Sequence, residues 1–168
     1  DTQFKEPPGT PMRQIWKSFR ALYFASLMML IGSGLLSTYL ALRLAAPALT
    51  YAELGQAEDA LSQLDRQRDL PAYQRGELNW QFHRCLYQAC KMPHLLRLLD
   101  QLHQQVSRYL GYQEQALAYA DTSAAEHAEL LTLLRHGDTE QAGQLLVRHI
   151  TEAGNLLVQL LQKQQGAR

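Results

Sequence analysis

The chain has 168 residues and no excess of either charge, since Lys and Arg together number 16 and Asp and Glu together also number 16. That length is enough for one domain with its own hydrophobic core, with or without an appended segment. A net charge of zero gives no general electrostatic attraction to nucleic acid or to acidic partners. Cys85 and Cys90 are too close in one predicted helix to bridge separate elements, so we expect reduced thiols and a cytoplasmic protein.

The N-terminal residues 1–13 are rich in Pro and Gly and carry no apolar period. Such a composition predicts a flexible arm rather than a helix or a strand.

Residues 14–46 are predicted to form an apolar helix, and its role has two interpretations. No charged residue occurs from Ala21 to Leu42, a run long enough to cross a bilayer, and basic residues flank it. The same pattern fits a first helix that is buried in a bundle, with Gly32 and Gly34 allowing close packing. Taken alone, the segment also resembles the first transmembrane helix of a major facilitator superfamily transporter. No further hydrophobic span follows, so the chain is not predicted to be such a transporter.

The residues after Pro47 have a clear helical period. Thr50 and Glu53 form a predicted capping box, and Ser123 with Glu126 forms a second one. With residues 14–46 the pattern predicts an all-α, antiparallel helical bundle of about six helices. The five helices after Pro47 are predicted to run from Thr50 to about Gln67, Pro71 to Lys91, His94 to about Tyr119, Ser123 to about Arg135 and Thr139 to about Gln164.

Three histidines fall on the apolar sides of three different predicted helices: His83, His127 and His149. Asn79 lies one turn before His83 on the same face. An amide oxygen and three inward imidazoles suit a metal ion or an anionic ligand, whereas the alternative is that the histidines are satisfied core residues. We expect the other three histidines to be solvated, namely His94, His103 and His136.

Three arginines on the predicted helices are candidates for holding a carboxylate in a bidentate manner. They are Arg75, Arg84 and Arg108, and the last is favoured because apolar residues and Tyr109 bracket it. The alternative is that each of them faces water.

Six motifs follow one another along the chain: Asn79-x-x-Phe82-His83, Pro93-x-Leu95-Leu96, Arg108-Tyr109, Glu126-His127, Gly137-Asp138 and His149-Ile150. In this order they resemble the FCD domain, the C-terminal effector-binding half of FadR-like regulators of the GntR family. The resemblance runs from about Leu40 to Leu161, so the FCD-like bundle is placed at residues 47–164. It implies a homodimer that binds a small organic or amino acid beside a divalent metal ion, with zinc favoured over nickel or manganese. By position, Asn79 replaces the family's Asp, and the histidine ligands are His83, His127 and His149.

Two departures from the family pattern affect this interpretation. A neutral Asn79 should bind a metal more weakly than a carboxylate and leave more positive charge at the site. Residues 1–46 show no winged-helix pattern, so DNA binding is expected only through a domain not evident in this chain.

The predicted regulatory function has three alternatives. A hydrolytic enzyme is disfavoured because no Asp or Glu is predicted on an inner face near the three histidines, with Glu126 assigned to a helix cap. The remaining alternatives are a helical module tethered to the membrane through residues 21–42 and a bundle that binds its ligand without metal.

Overall fold

The computed structural model describes the backbone of residues 34–117 and 120–166, and the side chains among these except at 72, 106–117, 120 and 160–166. Six α-helices and two short 3-10 turns make up the described part, which contains no strand. The predicted all-α bundle is thereby confirmed. The helices are α1 (34–45), α2 (Tyr51–Arg66), α3 (Ala72–Tyr87), α4 (Pro93–Leu117), α5 (Ala120–Arg135) and α6 (Thr139–Gly166), with 3-10 turns at Ala46–Ala48 and Gln88–Cys90.

The start of α2 is the capping box that the sequence predicts. The Glu53 backbone N–H donates to Thr50 Oγ1 at 3.3 Å, and the Thr50 backbone N–H donates to Glu53 Oε2 at 2.8 Å. Two otherwise unsatisfied N–H groups are thus paired, which fixes where the helix begins.

The connection between α5 and α6 is as short as the sequence predicts. Gly137 has a φ of 73°, in the left-handed region that favours glycine, and the Asp138 N–H donates to Leu133 O at 2.9 Å. This arrangement ends α5. Asp138 Oδ1 then accepts from the Gln141 N–H at 3.2 Å, which caps the first turn of α6.

The second predicted capping box is wrong. Helix α5 already begins at Ala120, so Ser123 and Glu126 lie inside it, and both are buried. The helical spacing explains this, because Ser123, Glu126 and Leu130 recur at intervals of three and four residues and so share one face. Glu126 is therefore available to the interior.

Helix α3 packs between α2 and α4, while α5 packs against α2 and α6, and α6 also contacts α4. Such a central position brings the inner face of α3 into the core. The largest fully buried side chains include Tyr87, Phe82, Leu86, Leu99, Leu146 and His127.

The described part of α1 packs against this bundle. Ala41, Leu42 and Ala45 are at most 1% exposed. Arg43 Nη1 donates to Glu140 Oε2 of α6 at 2.8 Å. The predictions for residues 1–13 and for most of the apolar run lie outside the described residues. Within the part of the chain that the structure describes, no helix is both long enough and apolar enough to cross a membrane.

Candidate metal centre

Three histidines from α3, α5 and α6 meet in the interior of the bundle. His127 Nε2 lies 3.2 Å from His83 Nε2 and 3.3 Å from His149 Nε2. One ligand atom from each residue lies within 4.8 Å of the other two, and all three residues are buried. The structure therefore brings together the three predicted histidine ligands.

The outward-facing nitrogens of the three rings have different partners. His149 Nδ1 lies 2.7 Å from Glu126 Oε2. Because a carboxylate oxygen accepts, this nitrogen carries the proton and the His149 Nε2 lone pair faces the cluster. His83 Nδ1 lies 3.3 Å from the Tyr87 hydroxyl. His127 Nδ1 is buried with no hydrogen-bond partner among the residues that the structure describes.

The electrostatics favour neutral rings. Burial lowers the pKa of His83 well below its ordinary value, and repulsion from His149 and then His103 adds to the effect. Burial likewise lowers the pKa of His127, with repulsion from His83 and His149. Neutral imidazoles keep the lone pairs that a metal ion requires.

The arrangement fits a divalent metal better than a closed hydrogen-bond network. A single Nε2–H on His127 cannot satisfy both neighbouring Nε2 atoms fully, which leaves a lone pair facing another nitrogen. Nitrogens bound at about 2.0–2.1 Å to one metal lie about 2.8–3.4 Å apart at right-angle to tetrahedral geometry. The two shortest separations here, 3.2 and 3.3 Å, lie in that interval.

Asn79 lies one turn before His83 on α3. Its Oδ1 atom is buried and has no hydrogen-bond partner within the described part of the chain. A buried amide oxygen without a donor is costly, and binding of a cation would relieve that cost. Asn79 Oδ1 is therefore a candidate for a fourth metal ligand, beside the three imidazole nitrogens.

The predicted effector-binding arginines are placed differently from one another. Arg75 is 4% exposed, and its Nη1 donates to Gln67 O at 3.2 Å and Leu64 O at 3.4 Å at the end of α2. The Arg84 side chain is 60% exposed and lies 3.5 Å from Asp100 Oδ1 on the surface. The side chains of Arg108 and Tyr109 lie outside the described residues.

His103 is a correction to the sequence prediction, which treats it as solvated. It is 6% exposed, its Nε2 lies 3.3 Å from Glu77 Oε1, and its ring stacks on Trp80 at 4.8 Å. The signal was present, because Leu95, Leu99 and His103 follow one another at four-residue intervals on α4. His94 and His136 are exposed, as predicted.

Glu126 is the second side chain that the sequence prediction misplaced. It is 9% exposed and bonds to His149, so the expectation of no acidic residue near the histidines is wrong. The sequence prediction assigns Glu126 to a capping box and therefore not to the interior. Its position four residues before Leu130 was the available signal.

The chain matches known proteins over most of its length. The FCD domain family model matches residues 38–152. A GntR-family transcriptional regulator from Pseudomonas syringae pv. tomato is similar in structure, with a TM-score of 0.73 and 25% identity over 83% of this chain and 58% of that one. E. coli McbR/YncC has a TM-score of 0.68 and 22% identity over 80% of this chain and 65% of that one. A search of curated proteins found no significant match.

These findings establish the family. The chain belongs to the FCD domain family, the effector-sensing regulatory domains of GntR-type transcription regulators. It spans less than two thirds of each of the two solved regulators described above.

Proposed function

We propose that this FCD domain senses a small organic acid that binds beside a divalent metal ion. The observation that carries the proposal is the convergence of three buried imidazole Nε2 atoms, two of the separations being 3.2 and 3.3 Å. Core packing alone gives no reason for three nitrogens from three helices to face one point.

The metal ligands in this proposal are His83, His127 and His149, with Asn79 Oδ1 as a fourth. Imidazole nitrogens with an amide oxygen suit zinc, and also nickel or manganese. When bound, the ion supplies a Lewis-acidic centre that accepts a carboxylate oxygen. Burial holds the rings of His83 and His127 neutral, and the bundle keeps bulk water away from all three rings.

The charge of the donor set favours an anionic effector. Three neutral imidazoles and a neutral amide contribute no negative charge. A divalent ion together with these four ligands would therefore have a net charge of about +2. A carboxylate that completes the coordination would offset part of that charge. Arg108 and Tyr109 remain the proposed effector contacts, because Arg75 and Arg84 already have partners at the end of α2 and on the surface.

In the whole regulator, the domain would act as a homodimer in the cytoplasm. Effector binding would shift the equilibrium between arrangements that are competent and incompetent for DNA binding. DNA contact itself would come from a winged-helix domain. No catalytic role is proposed, since the buried acid Glu126 is engaged with His149 and not directed to a reacting group.

The first experiment measures metal by mass spectrometry in protein purified without a metal-affinity tag. The wild type should hold close to one equivalent of metal, and the His127→Ala/His149→Ala double variant should hold almost none. The matched control is His94→Ala/His136→Ala, which removes two exposed histidines and should retain the metal. A metal-free wild type that also takes up no added zinc, nickel or manganese would refute the metal centre.

The second experiment concerns the effector. Thermal shift of the zinc-loaded protein with a panel of carboxylates and amino acids should give stabilisation that is lost in the Arg108→Ala variant. Equal stabilisation by carboxylates in the metal-free protein would instead favour a bundle that binds its ligand without metal.

A further inference from the structure

We propose that Glu126 is a positioning residue of the metal centre, which orients His149 and supplies the negative charge that Asn79 does not. This inference rests on the proposed metal-dependent function. It concerns a side chain that does not touch the metal itself, since its contact is with the far nitrogen of a ligand ring.

The orienting role follows from one short hydrogen bond. Glu126 Oε2 lies 2.7 Å from His149 Nδ1, and both residues are buried. An acceptor at Nδ1 fixes the proton on that nitrogen and directs the Nε2 lone pair toward His127, which lies 3.3 Å away. A carboxylate behind a ligating histidine also makes the ring a stronger donor to a metal.

The three rings differ in how firmly their tautomers are fixed. His149 has a carboxylate acceptor and His83 has the Tyr87 hydroxyl, which can donate or accept. His127 Nδ1 has no partner within the described part of the chain. Only the Glu126 contact requires a proton on the outer nitrogen, so His149 is the ring whose metal-binding tautomer the protein determines.

The charge role follows from the composition of the site. The histidines and Asn79 are neutral donors. Glu126 supplies a negative charge that is separated from the proposed metal position by the His149 ring alone. Arg148 Nε lies 3.9 Å from Glu126 Oε1 and the Arg148 side chain is 56% exposed, so this ion pair is weak. In a buried site, screening is weak, so the carboxylate also acts on an ion held on the other side of the His149 ring.

The test compares zinc affinity, by competition with a chelator, among Glu126→Ala, Glu126→Gln and wild type. Loss of the carboxylate in Glu126→Ala should lower the affinity by about 10- to 100-fold, as removal of such an outer partner does. Glu126→Gln keeps an acceptor oxygen and loses the charge, so it should also bind more weakly. Glu129→Gln is the matched control, since Glu129 lies on the same helix near the same arginine and is 58% exposed.

A separate readout follows the tautomer without any metal. Nitrogen chemical shifts of the histidine rings in the chelator-treated protein should show His149 protonated at Nδ1 in the wild type. In Glu126→Ala they should show a mixture of tautomers. A merely structural role for Glu126 would lower the melting temperature without changing the tautomer.

The charge role has its own test in Asn79→Asp. Adding this carboxylate to Glu126→Gln should restore zinc affinity toward the wild-type value. Unchanged zinc affinity in both Glu126 variants, or an equal loss in Glu129→Gln, would overturn the inference while the wild-type metal site stands. Failure of Asn79→Asp to restore affinity would overturn the charge role. A wild type that binds no metal would refute the proposed function itself and the inference with it.

Discussion

Gly143 of α6 lies directly against the ring of Tyr39 of α1. A Cβ atom added at Gly143 would lie 3.0 Å from Tyr39 Cε2 and 3.5 Å from Arg43 Cδ. The absence of a side chain at this position therefore lets the two helices approach closely. The Arg43–Glu140 ion pair, at 2.8 Å, lies beside the same contact.

Gly143→Ala should destabilise the protein more than the same substitution at a glycine that has open space around it. Alanine in a helix is worth about 1 kcal/mol over glycine, but overpacking at a tight contact costs about 1–3 kcal/mol. Gly55→Ala is the control, because a Cβ there meets nothing within 4 Å. Urea denaturation should place Gly143→Ala at least about 1 kcal/mol below Gly55→Ala. The difference should shrink in a Tyr39→Ala background, and an undiminished difference would contradict this account of the contact.

Two arginines that the sequence treats alike should behave differently when removed. Arg75→Met takes away a buried hydrogen bond to Leu64 O and a part-buried one to Gln67 O, which also accepts from the Leu70 N–H. Loss of a donor to a buried carbonyl costs about 1–3 kcal/mol. Arg84→Met removes only a loose surface contact with Asp100, for which about 0.5 kcal/mol or less is expected. Chemical denaturation measures both changes. Equal free energies of unfolding for the two variants would show that the Arg75 contacts are not stabilising.

The part of the site that was predictable from sequence is the part that helical periodicity governs. His83, His127 and His149 each share a face with apolar neighbours, and three inward histidines follow from spacing alone. The bundle itself follows from the same period and from the Thr50–Glu53 cap. The spacing of residues along the chain does not determine which residue of one helix contacts which residue of another.

The errors have that same origin. Ser123 and Glu126 fit a capping box, although their spacing from Leu130 also fits the interior of a helix. Local sequence gives no sign that His149 hydrogen-bonds to Glu126. The polar sequence neighbours of His103 favour a solvated ring, whereas its four-residue spacing from Leu99 favours a buried one. Contacts with Trp80 and Glu77 of α3 decide for the buried position. Long-range partners decide both positions, and they emerge only when the helices pack.

The metal-free protein should lose stability in mild acid. The folded-state pKa values of His83 and His127 lie well below the ordinary value of 6.5, chiefly because of burial. Below pH 6.5 the unfolded chain takes up protons that the folded protein does not. Their contribution is therefore fully present above about pH 6.5 and is lost as the pH falls toward the folded-state values. Each histidine contributes up to about 1.4 kcal/mol per pH unit in that window.

Urea midpoints with a chelator at pH 7.5, 6.5 and 5.5 measure this loss. In His127→Gln, one such group is removed, and the dependence on pH should become shallower even if the variant is less stable overall. Equal stability at pH 5.5 and 7.5 in the wild type would contradict the neutral, buried state of these rings.

His103 should matter for stability and not for metal. It packs on Trp80 with the planes 10° apart and pairs with Glu77, but it is not one of the three residues whose ligand atoms converge. His103→Ala removes a buried ring and its stacking contact, so we expect a loss of about 2–4 kcal/mol by analogy with other large-to-small core changes. Metal content at neutral pH, measured on the folded fraction, should stay near that of the wild type. His127→Ala provides the contrast, because it should lose both stability and metal, and a parallel loss of metal in His103→Ala would mean that the centre extends to α4.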